Sequence, residues 1–165
     1  MWFSQRTLRL LHSFRGGVKS SSLHTHGAVR LSEEIRYPST EQVAELYNLT
    51  VKASGGDRGY VSRANLEYLL DAVKDIGERL PNRQAIVKKA AFLLYNVVVV
   101  HPFLNGNKRT AFGLAGVFLE TNGYELASEA KGAYAFLIGI ASNKVSEIEV
   151  EEWVASHLSE RREEW

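Results

Sequence analysis

Apolar residues recur at helical spacing along most of the chain, and the polar residues between them read as helix ends. Pro38, Ser39 and Gln42 form a capping-box pattern that predicts a helix over roughly 40–53, with Val43, Leu46, Tyr47 and Thr50 on one face. Gly55, Gly56 and Gly59 end it in a loop. Ser62 then caps a second helix whose stripe is Leu66, Leu69, Leu70 and Val73. Pro81 and Asn82 open a third, expected to run to about Val100. The run Val97–Val100 would suit a strand, but it continues an apolar helical pattern from Ala85 through Phe92 and Leu94, so a helix is expected there.

A fourth helix, from about Asn107 to Asn122, is apolar nearly all round (Ala111, Phe112, Leu114, Val117, Phe118, Leu119), as befits the buried centre of a bundle. Gly113 and Gly116 would let neighbours approach it, and Gly123 would stop it. A fifth covers about 129–142. The last starts at the capping box Ser146 to Glu149 and is expected to pack Ile148, Trp153, Val154 and Leu158. No alternating stretch is long enough for a sheet, and no internal repeat occurs. The expected fold is all-α: a single-domain bundle of about six helices around a buried central helix.

Composition narrows the function classes. The 165 residues suit one core, and an apolar fraction of 45% with three prolines excludes wholesale disorder and collagen-like architecture. The absence of cysteine removes disulfides, thiolate zinc sites and cysteine nucleophiles. A net charge of +1 carries no nucleic-acid signature, and no apolar run is long enough to span a bilayer. A soluble, cytoplasmic domain is expected, with neither nucleic acid nor membrane as partner.

The charge is uneven. Residues 1–30 hold Arg6, Arg9, Arg15, Lys19 and Arg30 and no acid, together with Gly16, Gly17, Ser20, Ser21, Ser22, His12, His24 and His26. That composition fits a flexible extension and also an organellar transit peptide, and both readings stand. His24 and His26 read as a solvated pair rather than a metal site. The chain therefore divides into an extension (1–37), the helical domain (38–160) and a charged tail (161–165), with Glu160 to Trp165 read as a solvated helix end.

Between the third and fourth helices the chain reads HPFLNGNKRTAF, His101 to Phe112. Asn105, Gly106 and Asn107 are small or amide residues that let successive backbone N–H groups converge where a helix begins, which makes an anion site. Lys108 and Arg109 bring two positive charges to the same mouth, and Arg grips phosphate oxygens bidentately. His101, at the loop entrance, is the nearby side chain able to accept a proton near pH 7. Pro102 and Phe103 would fix the loop, Phe103 as an apolar anchor. Each part alone has an ordinary explanation: a structural His, a solvated helix start, a turn. Their joint occurrence at one helix N-terminus does not, and a base beside a phosphate cradle is what phosphoryl or nucleotidyl transfer to a hydroxyl requires. The spacings G-x4-G-K-[ST], H-E-x-x-H and G-x-S-x-G are all absent.

HPFLNGNKR resembles the signature of the Fic/Doc family, and within it the Doc (death-on-curing toxin) variant, H-x-F-x-[DN]-[AG]-N-K-R. His101, Phe103, Asn105, Gly106, Asn107, Lys108 and Arg109 match all seven specified positions. FLETNGYEL downstream is also similar, so the resemblance spans roughly residues 38–160.

The resemblance implies His101 as general base, with Asn105, Gly106, Asn107, Lys108, Arg109 and the loop amides holding the phosphates of ATP. It further implies Mg²⁺ brought with ATP and held weakly at Asn105, an amide oxygen being a poorer ligand for that hard cation than a carboxylate. Fic relatives transfer AMP; their motif has Gly at the position of Lys108 and a second Arg at the position of Phe112. Doc-type members share both of this chain's departures and transfer the γ-phosphate instead, with a threonine of elongation factor Tu as target. The implied activity is therefore a Doc-type toxin kinase acting on a Ser/Thr hydroxyl and inhibiting translation. The alternatives are AMPylation by the same loop and a catalytically impaired nucleotide- or partner-binding module.

Family members restrained in cis carry the pattern [ST]-x-x-x-E-[GN], and no Glu here precedes Gly or Asn, so the expected restraint is a separate antitoxin chain. The stretch Gly55 to Val61 reads either as a flap that aligns the target or as a plain surface connection. Arg63 and Glu67 beside it carry no assignment.

Overall fold

The computed structural model describes residues 34–127 and 130–160. The expectations for residues 1–33, including the His24–His26 pair, and for the tail 161–165 lie outside the described residues.

Among the described residues there are six helices and one small sheet: α1 (Thr40–Ser54), α2 (Arg63–Ala72), α3 (Asn82–Val100), α4 (Asn107–Thr121), β1 (Tyr124–Leu126), α5 (Ala130–Ala141), α6 (Glu147–Ser156) and β2 (Leu158–Glu160). The helix starts are where capping chemistry puts them. Ser39 with Gln42 and Ser146 with Glu149 form reciprocal capping boxes, and the Ser62 hydroxyl accepts from the Asn65 N–H.

Two packed helices, α3 and α4, occupy the centre. α3 packs against α2, α4, α5 and α6, while α4 packs against α1, α3, β1 and α5. Ala90, Leu93, Leu94 and Val97 on α3 are fully buried, as are Ala111, Ala115, Phe118 and Leu119 on α4. That enclosure holds the Val97–Val100 run in a helix through Val97 and Val98, which are buried while Val99 is exposed: burial of each large apolar side chain contributes about 2 kcal/mol, more than the small β preference of valine.

One charged side chain enters the core. Lys89 is 1% exposed, and its ammonium donates to the carbonyls of Val73 at 3.0 Å and Lys74 at 2.7 Å, just past the end of α2. A cation there adds a donor to two carbonyls, of which that of Val73 also accepts from the Ile76 N–H at 3.3 Å, and suits the negative end of the helix dipole. Packing also begins before residue 38: Ile35 and Tyr37 lie against the core, and the Asn122 side chain exchanges two hydrogen bonds with the backbone of Arg36, both at 2.9 Å.

Four expectations are corrected. Ile148 is 71% exposed, because α6 buries Val150 and Val154 and a residue two before Val150 points about 200° round the helix. Leu158 lies beyond α6, in β2, and Glu160 ends that strand rather than extending a helix. A sheet does exist: β1 and β2 pair antiparallel in the register Tyr124↔Glu160, Glu125↔Ser159 and Leu126↔Leu158, strands too short for alternation to show in sequence. Finally, a Cβ at Gly116 would meet nothing within 4 Å, so no neighbour uses that glycine for close approach.

Candidate active site

α3 and α4 are consecutive helices packed side by side, so the C-terminus of one and the N-terminus of the next lie at the same end of the molecule, joined by residues 101–106. The backbone of His101 ends α3. It takes the left-handed conformation, φ 56° and ψ 56°, with its N–H on the Val97 carbonyl at 3.3 Å. Glycine is the usual residue at such a turn, and an L side chain there costs about 1–2 kcal/mol. The imidazole is exposed, held at the lip by a strained backbone rather than buried as a structural histidine.

The loop is pinned from below. Pro102 is buried, and its carbonyl accepts from the N–H groups of Val61 and Ser62 at 2.8 and 3.1 Å. Phe103 is fully buried and stacks on Tyr47 of α1, ring centroids 4.0 Å apart and planes 12° apart, with Tyr60 tilted against it at 5.3 Å. Asn107, the first residue of α4, is buried, and its side chain reads the Phe103 backbone in both directions. Its Nδ2 donates to the Phe103 carbonyl at 2.8 Å, and its Oδ1 accepts from the Phe103 N–H at 2.9 Å. Its carboxamide is thus engaged in closing the loop, which leaves its backbone N–H as the group able to meet an anion.

Gly106 precedes α4 in the left-handed conformation, φ 75°, and offers no side-chain cap to the first turn. The positive φ favours glycine, and a Cβ there would lie 3.3 Å from Val51 Cγ2, a tight fit under α1. Lys108 and Arg109 follow on that first turn, both half-buried. One turn in, the Thr110 hydroxyl is fully buried without a hydrogen-bond partner, the one such side-chain atom among the described residues. A helix N-terminus without a side-chain cap, two cations on its first turn and a glycine in the left-handed conformation just before it form an arrangement that fits a polyphosphate. For Mg²⁺ the loop's exposed side chains offer the Asn105 carboxamide, one neutral oxygen ligand, so a fitting ion would take its remaining oxygens from phosphates and water.

A model of the Fic/DOC family matches residues 31–119, more than half of the sequence, and the matched span contains the whole loop. The chain belongs to the Fic/DOC family. No curated protein matches it. As a Fic/DOC protein it falls among transferases that modify protein targets and that generally use a nucleoside triphosphate with Mg²⁺. No helix among the described residues is long and apolar enough to cross a membrane.

The structure also shows what lies beside the loop. The segment Gly55–Ser62 lies along the loop: Tyr60 and Phe103 form an antiparallel bridge, and the Leu104 N–H donates to the Gly59 carbonyl at 3.0 Å. The Tyr47 hydroxyl both accepts from the Gly59 N–H at 3.0 Å and donates to its carbonyl at 3.1 Å. A phenol on the buried face of α1 was the available signal for Tyr47, since a buried Tyr hydroxyl needs a partner. Arg63 and Glu67 pair with each other at 2.9 Å, both exposed. Phe112 is half-buried and packs against the core, so no cation stands at that position of the helix.

Proposed function

We propose that this Fic/DOC protein is a Doc-type kinase that transfers the γ-phosphate of ATP to a Ser/Thr hydroxyl of a protein, with elongation factor Tu as the first target to test. The observation that carries this reading is the first turn of α4. It has Lys108 where an AMPylating relative needs a bare backbone, and Phe112 turned to the core where such a relative has its second Arg. The exposed imidazole of His101 takes the proton of the attacking hydroxyl. The hydroxyl oxygen forms a bond to the γ-phosphorus, the bond from that phosphorus to the β,γ-bridging oxygen breaks, and ADP leaves. The N–H groups at the start of α4, with Lys108 and Arg109, offset the charge on the transferring phosphoryl group. Asn105 would hold Mg²⁺, which when bound neutralises phosphate charge. An antitoxin chain would supply the restraint.

The test is intact mass of elongation factor Tu after incubation with the protein and Mg²⁺-ATP. A gain of one phosphate is expected, and His101→Ala should slow it by about 10²- to 10⁴-fold. A gain of one AMP instead identifies nucleotidyl transfer, and an unchanged mass removes both readings for this target.

A further inference from the structure

Asn105 lies in the middle of the loop, exposed, and its carboxamide Nδ2 donates to the carbonyl of Asp57 at 3.1 Å. Gly56 is packed onto the same side chain. A Cβ built on Gly56, which has φ +116°, would stand 3.3 Å from Asn105 Cβ. The neighbouring fastenings of this segment use backbone groups (the Pro102 carbonyl, the Leu104 N–H) and the buried Tyr47 phenol, none of which depends on an exposed loop side chain. The bond to Asp57 does, and it holds the glycine-rich end, where the backbone has least stiffness of its own.

The donor in this bond must be an amide. A carboxylate at the same position has the same shape but only accepts, so it would face the Asp57 carbonyl oxygen with no proton between them and turn away. The residue type that makes the better Mg²⁺ ligand is therefore the one that cannot make this contact. We propose that Asn105 is a positioning residue: its carboxamide latches the strip Gly55–Gly59 against the loop, and the chain carries an amide rather than an acid there because the latch requires a donor. The strip runs beside Pro102–Asn105, next to His101, so the latch fixes the approach of a protein substrate to that imidazole. This functional meaning rests on the transferase reading above, whereas the geometry does not.

Backbone ¹⁵N relaxation of Gly56, Asp57 and Arg58 tests the latch in the wild type, Asn105→Asp, Asn105→Ala and Asn105→Gln. Wild type should give order parameters near the rigid value of about 0.85, and the Asp and Ala variants values under about 0.6. Exchange of the adjacent Gly59 amide should quicken roughly three- to tenfold in both. Asn105→Gln keeps the donor and should restore the ordered strip. An Asp variant as rigid as wild type, or a Gln variant as loose as Ala, overturns the proposal. Phosphate transfer is measured on the same samples: a strip that loosens in a protein whose wild type transfers nothing keeps the latch and removes the kinase reading. Transfer by the wild type with no loosening in Asn105→Asp does the reverse.

Discussion

His101 is the residue at which stability and the proposed chemistry pull apart. Its left-handed backbone costs about 1–2 kcal/mol, which glycine would not incur, against roughly 0.5–1 kcal/mol for the extra freedom glycine has when unfolded. His101→Gly is therefore expected to raise the unfolding free energy by about 0.5–1 kcal/mol while slowing transfer about 10²- to 10⁴-fold. Urea denaturation beside the mass assay reads both, and a destabilised variant would contradict the strain argument. The neighbouring residues divide along the same line. Asn107 reads in sequence as a phosphate-binding residue, and its carboxamide staples Phe103, because a buried loop backbone must find partners. That division of labour between side chain and backbone N–H is invisible in the string N-G-N, which fixes residue types but not which atom faces inward.

At the scale of elements, the start of α6 carries two carboxyls shifted in opposite directions. Glu149 is lowered by the backbone N–H and then the hydroxyl of Ser146, which donate to its Oε2 at 2.7 and 2.9 Å. Its contribution to stability is thus present above its ordinary value of 4.5 and is lost as pH falls through 4.5 and then through the lowered folded value. Glu147 is raised, first by burial, with Glu151 adding to it against the attraction of Lys88; its ionisation therefore opposes folding as pH rises. Glu149→Gln, which keeps an accepting oxygen but carries no charge, should flatten the acid limb of a stability–pH curve measured between about pH 5 and 3 by lowering the neutral plateau, the two curves converging in acid. An acid limb as steep as in wild type would exclude the capping box as its source. The same element shows how much of a helix is legible: Ser146 and Glu149 locate the start because capping is local chemistry. Ile148 was misplaced because which apolar residue faces inward is decided by the neighbour, α3.

Across the whole molecule, the site depends on a core that contains a charge. Lys89 links α3 to the end of α2, and α2 follows directly on the strip that borders the loop. Lys89→Met keeps the apolar stem and removes the donor, leaving the Val73 and Lys74 carbonyls short of a partner. It is expected to cost about 2–4 kcal/mol. Unfolding followed by far-ultraviolet circular dichroism and by tryptophan fluorescence should shift together, since the buried residues of all the packed helices form one cluster. A shift within about 0.5 kcal/mol of wild type would mean that the ammonium contributes nothing.

What the sequence determined by itself is everything governed by near neighbours in the chain. The helix starts follow from Ser39, Ser62 and Ser146, the stripes from apolar spacing, and the loop from consecutive residues His101 to Arg109 whose pattern also marks the family. What only the tertiary structure decided is whatever needs two distant segments to meet. Tyr47 under Phe103, Asp57 against Asn105, Val51 beneath Gly106 and Lys89 at the end of α2 all join residues far apart in the chain. The β1–β2 pair joins segments more than thirty residues apart in the same way. Helical periodicity and capping are encoded within a few residues, whereas contacts between segments depend on how faces orient when the core closes, and no local pattern carries that orientation.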